Sequence, residues 1–231
     1  MHFCNQIHSQ LTKLTSRIVS TMSQIADTRQ LPKFSAGEAA RKKWAKPLPE
    51  EGMTVDAFNA ACGGVFEHVA DIVLDNSDRR QTTIKAQLPR VPGAQERYTA
   101  DTEKIYLFGR NDRVMKFGGT RTGMKKRFGS YLCGHCVPER VKRNGDAFPG
   151  KMSVTNAHLY HTIETDLLAG NSWKIYTWNI PETTIEVEIL GEKTTVVAQT
   201  YHAYESRCIR KFNEMTGHIP HLCDNSDPSY R

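Results

Sequence analysis

The period at which apolar residues recur changes along the chain, and the change predicts its elements. Over residues 1–28, Phe3, Ile7, Leu11, Leu14, Ile18, Met22 and Ile25 follow helical spacing. Ser35 begins "SAGE", a capping box leading into "AARKKWA", and "KPLPEEG" ends that second helix. Val55, Phe58, Cys62, Val65, Phe66, Val69 and Ile72 share one side of a helix drawn through "TVDAFNAACGGVFEHVADIVLDN", which predicts a third helix over 54–76. Residues 76–103 are polar and carry the breakers of "PRVPG", so they read as a linker. The expected division is therefore a helical region with linker, 1–100, and a second domain, 101–231.

From residue 104 the period shortens. "KIYLF" and "VMKFG" are expected strands joined by "GRNDR", whose Gly, Asn and Asp suit a hairpin turn. "TRTGMKKRFGSY" predicts a short helix with Thr122 as its cap, followed by a long basic loop, "CGHCVPERVKRNGDAFPGKMS". "TNAHLYHTIETDLLAG" predicts a helix ended by Gly170. "WKIYTWNI" and "TTIEVEIL" are expected strands around a "PE" turn, and "VVAQTYHAYESRCIRKFNEMTG" is the expected last helix. The order β-β-α-loop-α-β-β-α makes an α+β fold with a small antiparallel sheet flanked by helices, preceded by a helical extension.

Composition changes this picture in three ways. The sequence has 231 residues and 39% hydrophobic content, enough for a real core. It has no apolar run near the ~18 residues that a membrane span needs. The first 26 residues lack Asp and Glu but contain Lys13 and Arg17, as a transit peptide would, and the amphipathic helix accounts for the same residues. Met22 is a second possible start. Six cysteines without a secretory signal before them point to reduced thiols in a cytoplasm.

Charge is the most informative. The net charge is +6, and residues 110–151 hold 11 Lys and Arg against three acids, a net of +8. The remainder, 20 basic against 22 acidic residues, carries −2. A field so localised attracts polyanions. The bland alternative is a solvated basic face with no ligand.

Within that basic stretch, Tyr106, Lys116, Arg127 and Tyr131 fall in 26 residues. Tyr106 alternates with Ile105 and Leu107, so its side chain leaves the face that they pack. Lys116 interrupts an apolar strand, where a charge is costly unless it faces a site. Arg127 and Tyr131 are four apart and share a helix face. Phosphodiester hydrolysis needs an activated water, positive charge where the phosphorane develops and, commonly, a divalent metal. This unit supplies candidates for each. Taken singly, each of these residues is also common in a strand or on a helix for structural reasons.

"IY", then "KFGGT" with Lys116 ten residues on from Tyr106, then Arg127 eleven later, resembles the GIY-YIG nuclease superfamily. Lys116 stands where the usual second-strand Tyr precedes Ile-Gly, as in a branch of type II restriction endonucleases. "KRFGSYLCG", "RVKRNG", the "TN" step at 155–156 and "AYESRCIRKF" extend the similarity over about residues 104–223, while Lys104 replaces the first motif Gly. The resemblance implies Tyr106 as general base, Lys116 as the group that lowers its pKa, Arg127 on the scissile phosphate and Tyr131 donating to a non-bridging oxygen. It also implies Glu205 as the ligand of one Mg²⁺ or Mn²⁺. The implied activity is Mg-dependent cleavage of double-stranded DNA at a short site by a homodimer. The alternatives are a homing- or repair-type nuclease of the same superfamily and a non-catalytic DNA-binding module.

Lys125, Lys126, Arg140, Lys142, Arg143 and Lys151 are the candidate phosphate contacts, with Asn144 and Asn156 as candidate base contacts. Cys133 and Cys136 in "CGHC" have zinc-ligand spacing, with Cys208 and Cys223 as available partners, but a lone CxxC without a second pair at matching spacing is a weak zinc signal. His158, His161 and Glu164 recur at i, i+3 and i+6, which fits a metal site or, more commonly, a solvated helix face.

Overall fold

A computed structural model describes residues 37–75, 82–136 and 154–223. The expected helix over 1–28, the basic residues Arg140, Lys142, Arg143 and Lys151, and Asn144 lie outside the described residues. The fold is α+β, with a small antiparallel sheet flanked by helices. Helix α1 (Gly37–Trp44) and helix α2 (Val55–Ala61) precede strands β1 (Glu67–Leu74) and β2 (Ile84–Gln87). Helix α3 (Ala94–Thr99), strands β3 (Lys104–Arg110) and β4 (Arg113–Thr120) and helix α4 (Gly123–Leu132) follow. Helix α5 (Val154–Leu168), strands β5 (Trp173–Asn179), β6 (Thr183–Ile189) and β7 (Glu192–Ala198), and helix α6 (Tyr201–Thr216) complete the order.

Two expected helices are corrected. The segment expected as one helix over 54–76 is α2 followed by β1, because Gly63 and Gly64 at φ 79 and 74° stop the helix. The β-branched stretch that follows then pairs with β2 and β5. The expected linker over 76–103 contains β2 and α3. Residues on both sides of position 100 thus contribute strands to one five-stranded sheet, ordered β2-β1-β5-β3-β4. The last helix begins at Tyr201 rather than Val196; Leu190 and Gly191, both at positive φ, turn β6 back onto β7 instead. The hairpin expected at "GRNDR" is present, turned by Asn111 and Asp112 at φ 46 and 58°.

Strand β3 is buried along its whole length, between β5 and β4. Alternation splits its residues between two cores. Tyr106 and Phe108 join Met124, Phe128 and Tyr131 of α4 and Leu159, Tyr160 and Ile163 of α5. Ile105 and Leu107 join Phe58 of α2 and Cys208, Ile209 and Phe212 of α6. Phe58 centres the second core, with ring centroids 4.8 Å from Phe117 and 6.0 Å from Phe212. Deleting such a ring costs about 3–5 kcal/mol.

The two cores place α4 on one face of the β3–β4 hairpin and α6 on the other. Strand β4 is the sheet edge, and its outer side is partly covered. Val55 N donates to Asp112 O and Val114 N to Met53 O at one end. Further along, Leu222 N donates to Met115 O at 2.9 Å, and Phe117 N donates to Cys223 Sγ at 3.4 Å. Among the described residues, this cover ends at Phe117. The edge beyond it is Gly118, Gly119 and Thr120.

Candidate active site

Tyr106 lies opposite Gly118 in the β3–β4 ladder, and Ile105 opposite Gly119. Cross-strand partners project to the same face, so each missing side chain opens a space on one face. On the α4 face, the place a Gly118 Cβ would take is filled by the Tyr106 hydroxyl and ring. On the α6 face, a Gly119 Cβ would meet the Tyr201 ring and lie 3.1 Å from Glu205 Oε2. The double glycine therefore lets a phenol and a carboxylate close on the same two residues of the sheet edge from opposite faces.

Helix α4 completes the phenol side. Arg127 Nε donates to Tyr106 Oη at 3.1 Å, and Arg127 Nη2 donates to Tyr131 Oη at 2.9 Å. The two hydroxyls are 2.5 Å apart. The Arg127 guanidinium lies 4.5 Å from the centre of the Tyr131 ring. Two phenols hold two hydroxyl protons, and the bond between them uses one. That leaves one proton for a further acceptor.

Lys116 shares the Tyr106 face, opposite Phe108. It is 8% exposed, and its Nζ donates to Leu222 O at 3.1 Å. Burial opposes its charge, yet Cys223, Tyr131 and Glu205 together lift its pKa above the ordinary lysine value. It is an ammonium at neutral pH. That coupling also brings Glu205 into the same electrostatic neighbourhood as the α4 triangle.

The expectation that Lys116 lowers the Tyr106 pKa is corrected. Burial, followed by the proximity of Tyr131, pushes the Tyr106 phenol well above its ordinary value, and the cation working against this is Arg127. Arg127 is raised in turn: burial disfavours its charge, but the two phenol oxygens outweigh it. Tyr106 is thus a neutral phenol in the free protein, held 1% exposed.

The other candidates divide. Lys125 and Lys126 are exposed on α4, and Lys126 pairs with Asp101. Asn156 donates its amide to Ser130 O at 2.8 Å and so ties α5 to α4. Cys133 is exposed, whereas Cys208 and Cys223 are buried in the core on the α6 face. Burial pushes the Cys208 thiol up to about 12. The described residues contain no group of three or more His, Cys, Asp or Glu placed to hold a metal.

His161 and Glu164 do not form a solvated face. They are 1% and 0% exposed, with His161 Nδ1 3.2 Å from Glu164 Oε2 and with Thr83 bonded to Glu164. His158 Nδ1 meets Trp44 O at 2.6 Å, consistent with a structural part in seating α1 on α5.

Three features escaped the sequence reading. The tail residues Leu222 and Cys223 hold Lys116 and the β4 edge across more than a hundred residues of sequence, which no local pattern signals. Tyr201 gives no signal either. The "GG" at 118–119 was visible, and a double glycine inside a strand does mark a close approach.

No family model matches this chain, and no curated protein matches it. Among solved structures it is similar to the restriction endonuclease HPY188I in complex with product DNA, at 19% identity and a TM-score of 0.44, over 77% of this chain and 89% of that one. It is also similar to a mutant of bacteriophage T4 EndoII, at 15% identity and a TM-score of 0.42, over 70% and 96%. Neither similarity assigns a role to a residue here. No helix among the described residues is long and apolar enough to cross a membrane.

Proposed function

We propose that this protein is a type II restriction endonuclease of the GIY-YIG kind, hydrolysing phosphodiester bonds at a short double-stranded DNA site with Mg²⁺ or Mn²⁺. The observation that carries the reading is the closed Tyr106–Arg127–Tyr131 triangle, set beside a buried Lys116 and, across the double glycine, the Glu205 carboxylate. Two phenols and a guanidinium joined by hydrogen bonds beside the edge strand β4 suit a phosphate with an attacking water.

Arg127 spends two of its N–H groups on the phenols and keeps others for phosphate oxygens. Tyr131 orients Tyr106 and donates to a non-bridging oxygen. Lys116, charged and anchored by Leu222 O, adds positive potential where negative charge develops. Tyr106 must first release its proton to solvent; the phenolate, stabilised by the guanidinium, then accepts the proton that the attacking water gives up as its oxygen bonds to phosphorus. Lys125, Lys126 and the basic residues of 137–153 would track the backbone, with Asn144 and Asn156 as the candidates for base contacts.

Glu205 fits a Mg²⁺ or Mn²⁺ ion. A single carboxylate at an open edge leaves most of the coordination shell to water and substrate oxygens, as Mg²⁺ prefers. Such a metal would stabilise charge on the phosphoryl and leaving oxygens. Cutting both strands of a palindromic site calls for two active sites, hence a homodimer.

Supercoiled plasmid incubated with Mg²⁺ tests the reading. The expected result is discrete linear fragments, with Tyr106→Phe slower by at least 10²-fold in single turnover. A smear would point to a non-specific or repair nuclease, and retention of DNA without cutting to a binding module. Tyr106→Phe cutting within ten-fold of wild type would overturn the mechanism.

A further inference from the structure

Strands β6 and β7 form a two-stranded ribbon that pairs with none of the other five strands. Isolated two-stranded hairpins are marginal in water. This one also displays apolar side chains. Of the six exposed large hydrophobic residues among the described ones, four are Ile185, Ile189, Leu190 and Val197. The register Ile185–Val196, Val187–Thr194 and Ile189–Glu192 puts Ile185, Val187, Ile189 and Val196 on one face. At the tip, Leu190 is fully exposed at φ 55°. Asn or Gly would adopt that backbone at less cost. A large apolar residue held there is explained by a surface that receives it.

We propose that this ribbon is an arm that docks on a second copy of the chain. The inference rests on the dimeric reading above but not on the chemistry proposed for the site. Charge selects the occupant. Residues 182–193 carry Glu182, Glu186, Glu188 and Glu192 against Lys193, a net of −3. With +6 for the whole chain, the rest carries +6 − (−3) = +9. An acidic ribbon is repelled by DNA and attracted to the basic body of another copy.

Area agrees with reciprocal exchange. Seven residues per strand at ~3.4 Å make the ribbon ~24 Å long, and one face ~10 Å wide presents roughly 240 Å². Face-to-face contact of two ribbons therefore falls well below the ~800 Å² per partner of a stable interface. An arm that inserts both faces and its tip covers on the order of 500 Å². Under a two-fold axis each copy also receives an arm, which brings the total to roughly 1,000 Å² per copy.

The experiment compares sedimentation of the full-length wild type, of Ile185→Lys/Leu190→Asp and of Leu190→Asn, the last chosen to suit the turn. Circular dichroism and thermal midpoints serve as folding controls. A photo-crosslinking amino acid at position 190 reports the occupant. The expected result is a wild-type dimer, a folded monomeric double variant, at least ten-fold weaker association for Leu190→Asn, and a crosslinked band of twice the monomer mass. A double variant that stays dimeric, or a position-190 probe that crosslinks only to DNA or to residues 1–36 of the same chain, overturns the arm while leaving the dimer standing. A wild type that is monomeric with and without DNA overturns both. Absence of cleavage bears on the nuclease reading alone.

Discussion

Gly118→Ala is the substitution that most directly tests the architecture of the site. Gly118 does not occupy the left-handed region, so alanine brings no backbone strain, and the whole effect comes from one added methyl group. That methyl would overlap Tyr106 Oη and Cζ and lie 2.7 Å from Cε2. The ring has little room to retreat, since it packs 5.4 Å from Phe108 and 6.2 Å from Tyr131 between centroids. Overpacking of this kind costs about 1–3 kcal/mol. Displacing the hydroxyl also removes the partner of Arg127 Nε, for a further loss of about 1–3 kcal/mol. The expected destabilisation is thus about 2–6 kcal/mol, measured by urea unfolding. Single-turnover cleavage should fall by the ~10²–10⁴-fold that removing a general base costs. In a Tyr106→Phe background the Oη overlap is gone, so the same alanine should cost less there, with a coupling of about 1–3 kcal/mol in the double-mutant cycle. A Gly118→Ala protein within about 0.5 kcal/mol of wild type and cutting at a comparable rate would refute the placement of Tyr106.

Glu205→Ala should abolish Mg²⁺-supported cleavage yet hold DNA within a few-fold of wild type when binding is measured without metal; comparable cutting by the variant would remove the metal role. Arg127→Met should displace the pH–rate profile to higher pH, because Arg127 is the cation that draws the Tyr106 pKa down; an unmoved profile would count against Tyr106 as the base. Stability should decline in alkali: Tyr106 and Lys116 both have folded pKa values above their unfolded ones, so their contributions are complete below about pH 10 and are lost as pH rises towards the folded values. Urea midpoints from pH 8 to 11 check this, and Tyr106→Phe should flatten the decline.

Local sequence determined a good part of this protein. The β3–β4 hairpin was legible because "GRNDR" carries the residues that reach positive φ, and α5 because its apolar pattern runs to a Gly170 stop. Tyr106, Lys116, Arg127 and Tyr131 were legible as a group because a hairpin and the next helix are neighbours in space as well as in sequence. Where periodicity misled, competing local signals explain it. Seven apolar residues fit a helix through 54–76, but two adjacent glycines interrupt it, and β-branched residues after them found strand partners far along the chain. The ribbon was half-read for a similar reason: Val196 and Val197 suit a strand as well as a helix, and the turn at Leu190 and Gly191 decided between them.

Tertiary structure decided what no local pattern holds. His161 and Glu164 look like a polar helix face until Thr83 and Tyr160 bury them. The direction of the Tyr106 pKa depends on its burial in the core between the sheet and α4, which residue spacing does not encode. Leu222 and Cys223 reach Lys116 only because α6 returns the chain to the β4 edge. Glu205 approaches Gly119 because Cys208, Ile209 and Phe212, on the same helix, are buried against Phe58 and Phe117. Spacing can bring together residues that are close in sequence; a carboxylate 99 positions from its tyrosine (205 − 106) is placed by the packing of a core.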